Sequence, residues 1–94
     1  MSIIIPVYNA EKFLHRCLVS VTRQTLRNIE IICVNDGSTD NSRPLLEEFA
    51  AADDRIVVVH QDNRGQGAAR NLAMTIAKGE YIGFVDSDDW IELN

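Results

Sequence analysis

No stretch of this 94-residue sequence approaches the ~20 consecutive apolar residues that a membrane-spanning helix needs. The opening MSIIIPVYN also lacks the charged start and the roughly 7–15-residue apolar core of a secretory leader. Cysteine is scarce. Cys17 and Cys33 have neither CxxC spacing nor a His-rich neighbourhood, which argues against a redox pair or a zinc site and predicts buried free thiols in a reducing cytosol. The chain is therefore expected to be cytoplasmic, although a longer parent protein could sit at the cytoplasmic face of a membrane. Basic residues are also few: nine Lys plus Arg stand against fourteen Asp plus Glu, a net charge of −5. They are scattered, which excludes a nucleic-acid backbone as partner. An acidic chain that handles a phosphate ligand needs a metal ion or backbone N–H groups to do so. Internal repeats, low-complexity tracts and linkers are all missing, so residues 1–94 read as one domain.

The 46% of hydrophobic residues, against 24% charged, suffices for a real core. Four short runs, SIIIPVY, IEIICVN, RIVVVHQ and EYIGFVD, are rich in Ile and Val and mostly lack strict alternation. That is the pattern of central parallel strands covered on both faces. Between them lie segments with helical spacing. Phe13, Leu14, Cys17, Leu18 and Val21 share one face; Leu45, Leu46 and Phe49 form a second; Ala69, Leu72, Ala73 and Ile76 a third. Asn9 is placed to cap the first helix and Asp40 or Ser42 the second, with Pro44 in its first turn, while Lys78-Gly79 closes the third. The order βαβαβαβ predicts an α/β fold with a parallel sheet and right-handed crossovers. Ligands bind such sheets at the carboxyl ends of the strands, where the strand order reverses.

Each strand turns polar at that end: Pro6-Val7-Tyr8-Asn9, Asn35-Asp36-Gly37-Ser38, Gln61-Asp62-Asn63 and Asp86-Ser87-Asp88-Asp89. Taken singly these are ordinary turn residues. Asp36 reads either as a turn residue or as an acceptor for a ligand's imide or amino group. Tyr8 is either a strand-end aromatic or a platform on which a base stacks. The acidic cluster is sharper. Mg²⁺ and Mn²⁺ are held by one or two carboxylates, with substrate phosphates completing the octahedron. At ~5 Å and an effective dielectric of ~20, each carboxylate–phosphate pair repels by roughly 3 kcal/mol. An acidic cleft thus rejects a diphosphate unless a metal intervenes. The bland alternative is a helix N-cap cluster before WIEL.

NRGQGAARN, residues 63–71, imitates a dinucleotide fingerprint, with Asp86 about 20 residues further on. The imitation fails on three counts. The glycines follow the third strand, Arg70 stands where a small residue is needed, and the turn after the first strand has no glycine. Gly65 and Gly67 can equally permit close packing or present N–H groups to an anion. Arg70 is either a solvated cation or a phosphate or loop anchor.

Together, PVYN, NDGSTD, GxxxARN and DSDD, in this order and at these separations, resemble the nucleotide-binding half of a family 2 glycosyltransferase. The resemblance covers essentially the whole chain. It implies a GT-A fold, here a truncated three-layer αβα Rossmann-like sheet in the strand order 3-2-1-4. It further implies that Pro6, Val7 and Tyr8 border the nucleobase pocket, that Asp36 binds the base, and that Asn63 and Arg70 lie near the nucleotide. Asp86-Ser87-Asp88 matches the DXD signature, with Asp88 as metal ligand, Asp86 as a ribose or metal-shell partner, and Mn²⁺ or Mg²⁺ as the cofactor. The implied donor is a nucleotide-diphospho-sugar, commonly a UDP-sugar, whose sugar is transferred with inversion to a sugar or lipid-linked acceptor. The family's general base and acceptor pocket are expected beyond Asn94, so His15 and His60 need no catalytic reading and the isolated segment is expected to transfer no sugar. With further strands expected beyond the fourth, EYIGFVD would be an apolar sheet edge, through which self-association is expected.

Other readings fit less well. A nucleotidyltransferase of related fold opens with a glycine-rich basic signature that PVYNAEKF is not. A phosphoacceptor receiver domain needs a Lys at a late strand end. A fragment that binds nucleotide and catalyses nothing is the third alternative.

Overall fold

The computed structural model describes residues 2–23, 29–79 and 82–85. Strands β1 (Ser2–Val7), β2 (Glu30–Asp36), β3 (Ile56–Gln61) and β4 (Ile82–Phe84) alternate with helices α1 (Glu11–Thr22), α2 (Ser42–Ala52) and α3 (Gln66–Ile76). All strand pairs are parallel and the order is β3-β2-β1-β4, as the resemblance implied. Val7 pairs with Asn35, and Asp36 with Gln61, so the first three strands end level with one another.

Alternation along the strands divides the core into two layers. On one face Ile3, Ile5 and Val7 of β1 and Ile31 and Cys33 of β2 meet Leu14, Cys17, Leu18 and Val21 of α1 and Leu46 of α2. On the other, Ile4, Ile32 and Val34 meet Ala69 and Ala73 of α3, small residues that let that helix lie close to the sheet. Each fully buried Ile, Leu or Val contributes roughly 1.5–3 kcal/mol of transfer free energy, so β1 and β2, buried along nearly their whole length, are the spine of the fold. Cys17 and Cys33 are buried free thiols in this layer. Burial, and then the neighbouring Cys17, push the Cys33 thiol far up from its ordinary range.

Coverage of both faces holds for β1 and β2 only. β3 and β4 flank the sheet, and Val57, Ile82 and Phe84 are exposed because α3 packs over β1 and β2 rather than over the sheet's margins. Tyr81, expected in the fourth strand, lies outside the described residues. Two helix-face assignments also change: Phe13 and Ile76, expected in the core, are exposed. The third helix closes at Ala77, which is already extended. Lys78 N–H then donates to the Glu30 carboxylate and Gly79 N–H to Ser2 Oγ, seating the approach to β4 beside the start of β1. Among the described residues no helix is long and apolar enough to cross a membrane.

Candidate functional site

The carboxyl ends of β1, β2 and β3 open into a cavity of about 420 Å³, lined by Pro6, Val7, Tyr8, Asn9, Ala10, Phe13, Asp36, Asn63, Gly65 and Gln66. Its size suits a small-molecule ligand. Of the expected site residues, Pro6, Val7, Tyr8, Asp36 and Asn63 are brought together here.

The rim is built by one loop capping another. The first N–H groups of a helix have no partner within it, and α1 carries no side-chain cap of its own at Ala10. The loop after β2 supplies acceptors instead. Asn9 N–H donates to Ser38 Oγ (3.0 Å), Ala10 N–H to Ser42 Oγ (3.0 Å) and Glu11 N–H to Asp40 Oδ2 (3.2 Å). In return Thr39 N–H donates to Asn9 Oδ1 at 2.8 Å. Asn9 is therefore not the expected cap of α1. It turns the chain with a φ of 47°, a left-handed conformation that asparagine tolerates. Ser42 N–H donates to Asp40 Oδ1. Burial pushes the Asp40 carboxyl up, but Ser42's side chain and backbone and the Glu11 N–H outweigh it and hold the group below its ordinary value.

Asp36, 4% exposed, fastens the third loop. Its Oδ1 accepts from Gln61 Nε2 (2.8 Å) and from the Arg64 N–H (2.7 Å), and its Oδ2 from the Gly65 N–H (2.9 Å). Burial raises this carboxyl, yet the Arg64, Gln61 and Gly65 donations prevail and lower it, so Asp36 is ionised at neutral pH. A carboxylate offers about four acceptor positions; among the described residues three are taken, which leaves one on Oδ2. Gly37 follows with a φ of 71°, and a Cβ there would stand 2.8 Å from Asn63 N, so only glycine lets the second and third loops close on each other.

Both histidines bridge elements of the fold. The Asn35 amide, whose oxygen already accepts from Ser38 N–H, donates to His60 Nδ1 at 3.0 Å, and His60 Nε2 lies 3.3 Å from Glu47 Oε1. His15 packs edge-on against Phe49 between α1 and α2. Arg70 does not line the cavity; its guanidinium lies 5.6 Å from the centre of the Phe84 ring, towards β4. Asp86, Ser87 and Asp88 lie outside the described residues. Val85, which precedes them, donates its N–H to Ile4 O, so the run begins directly after a residue bound to β1. Among the described residues no cluster of three or more His, Cys, Asp or Glu could hold a metal.

Comparison with known proteins decides the family. A sequence model described as glycosyl transferase family 2 matches residues 2–94. The chain belongs to that family. Glycosyltransferase GlyA of Streptococcus pneumoniae is 51% identical to this family 2 chain over 92 residues, which is 98% of the chain and 13% of GlyA. Among solved structures, S. aureus TarS 1-349 in complex with UDP-GlcNAc superposes with a TM-score of 0.87 at 34% identity, covering 95% of this chain and 26% of that one. Mannosyltransferase PcManGT from Pyrobaculum calidifontis, in complex with GDP-Man and Mn²⁺, superposes with a TM-score of 0.86 at 26% identity, covering 93% and 27%. The family 2 chain thus has the strand order and architecture of GT-A transferases and spans about a quarter of each of those two structures and 13% of GlyA.

Two features of the site were not anticipated. Phe13 was assigned to the core because it adjoins the apolar stripe of α1, at whose margin it stands. Ser38 and Asp40 cap a helix some thirty residues earlier in the chain, which no local pattern reveals.

Proposed function

We propose that this chain supplies the donor site of a glycosyltransferase that moves a sugar from a nucleotide-diphospho-sugar, commonly a UDP-sugar, to a sugar or lipid-linked acceptor with inversion. The observation that carries this reading is the cavity at the strand ends. It joins apolar and aromatic walls at Pro6, Val7 and Tyr8 to the ionised Asp36, which has one acceptor position to spare. An anion at that point repels phosphate and accepts an N–H, so the end of the donor that faces Asp36 is its base. The UDP-GlcNAc and GDP-Man complexes of similar folds support a donor of this class.

Asp88 and Asp86 would hold Mn²⁺ or Mg²⁺. Two carboxylates are a hard oxygen donor set that suits either ion, and the Mn²⁺ in the mannosyltransferase complex agrees with it. Bound there, the ion supplies Lewis-acid stabilisation of a departing diphosphate. The chain's own part is to seat the base at Asp36 and to fix the loops that carry Tyr8, Asn63 and Gly65.

Calorimetric titration of the 94-residue chain tests the reading. UDP with Mn²⁺ is expected to bind saturably, one molecule per chain, and more tightly than UMP, which lacks the second phosphate. Titrations of both that show no saturation at millimolar nucleotide would sink the proposal.

A further inference from the structure

Half of the four aromatic side chains of Phe, Tyr and Trp type among the described residues, Tyr8 and Phe13, line the cavity that also holds Asp36. The second is out of place for a core residue. Phe13 stands four residues before Cys17, a fully buried residue on the same side of α1, yet is itself 46% exposed. Its position explains this. Side chains on an α-helix lean towards the helix N-terminus, which for α1 is the end beside the strand ends, and Phe13 stands at the margin of the stripe formed by Leu14, Cys17, Leu18 and Val21, so it borders the cavity there while Leu14 is buried. That helix end is fixed. The Ala10 carbonyl accepts from both Phe13 N–H (2.9 Å) and Leu14 N–H (2.8 Å), and the N–H groups of Asn9, Ala10 and Glu11 are tied to Ser38, Ser42 and Asp40. The fold thus places a large aromatic surface at a pocket, on a fixed helix end, instead of burying it.

We infer that Phe13 is a specificity-determining residue of the donor site, a second aromatic wall against which the nucleobase packs and which limits the size of base admitted. This rests on the donor-site reading above. The base is the part of the donor concerned because Asp36, on the same cavity, repels phosphate and has an acceptor position that fits a base N–H. An apolar wall facing that position meets a ring rather than a charged group. A base packed on an aromatic side chain gains of the order of tenfold or more in affinity from the contact. A wall carried on a fixed helix end also limits the pocket's depth, so a pyrimidine is held better than a purine.

The test is nucleotide binding by the original chain, Phe13→Ala and Phe13→Leu, each checked for fold by circular dichroism. Phe13→Ala is expected to bind UDP about tenfold more weakly while losing less affinity for GDP, so that the UDP-to-GDP preference falls. Uridine, which has no phosphate, is expected to lose the same factor as UDP. Phe13→Leu keeps the apolar volume without the ring and is expected to fall between the two; it carries the test if Phe13→Ala does not fold. A folded variant that binds UDP within about twofold of the original, with the UDP-to-GDP preference unchanged, overturns the inference. An original chain that binds neither nucleotide overturns the donor-site reading, and this inference with it.

Discussion

Asp36→Ala is expected to unfold at a markedly lower urea concentration than the original chain and to bind UDP at least tenfold more weakly. The carboxylate is the shared acceptor of Gln61, Arg64 and Gly65, and it is almost entirely buried. Hydrogen bonds to a charged group contribute about 1.5–3 kcal/mol each, and members of one network are not additive, so a loss of about 2–4 kcal/mol is expected in all. Released from Asp36, the loop that carries Asn63 and Gly65 no longer defines the cavity wall, and the acceptor for the base is gone as well. Asp36→Asn keeps one acceptor oxygen and should lie between. The same network fixes a pH dependence. The folded-state value of Asp36 lies below its ordinary 3.8, so the stabilisation is fully present above that value and is lost as pH falls through the folded value. Asp36→Asn should flatten that acid limb of the stability curve. Urea midpoints measured from pH 7 downward check both statements; an unchanged midpoint for Asp36→Ala at neutral pH would show that the latch contributes nothing.

The second large effect concerns the acids after β4. With Mn²⁺, UDP is expected to bind the original chain at least tenfold more tightly than in EDTA, and Asp88→Ala should bind it equally weakly under both conditions. At ~5 Å and an effective dielectric of ~20, each carboxylate–phosphate pair costs roughly 3 kcal/mol. A diphosphate beside Asp86 and Asp88 is therefore disfavoured until a cation offsets the repulsion. UMP, with less charge at that end, should show a smaller metal effect than UDP. Calorimetry on the original chain that gives one affinity with and without metal removes the proposed ion, whatever Asp88→Ala does.

What the sequence disclosed and what it hid follow from the range of the interactions. The strands were legible because each is rich in Ile and Val, although both faces are buried only along β1 and β2, and the turn chemistry of Asn35-Asp36-Gly37 marked a strand end. Pro6, Val7, Tyr8, Asp36 and Asn63 were marked as candidates through a family resemblance, and the structure places them around one cavity. The partners of Asp36 were not legible, since Arg64 and Gly65 reach it through backbone N–H groups that carry no residue-type signal. The capping of α1 by Ser38, Asp40 and Ser42 was misassigned for a related reason: local pattern proposes the nearest Asn, whereas the fold brings a distant loop alongside. Phe13 was misplaced because it stands at the margin of the apolar stripe, beside the fully buried Leu14, where spacing alone does not say whether a side chain meets the sheet or the cavity at its end.

Amide chemical-shift mapping of the isotope-labelled chain with UDP and Mg²⁺ tests the central claim most directly, because it locates the ligand as well as detecting it. The account predicts saturable shifts concentrated at Tyr8, Asn9, Phe13, Asp36, Asn63 and Gly65, and at Asp86 to Asp88, with little change in the open groove of about 650 Å³ at the margin of β3 that Arg43, His60 and Leu72 line. Shifts concentrated in that groove, or none at saturating nucleotide, would contradict it.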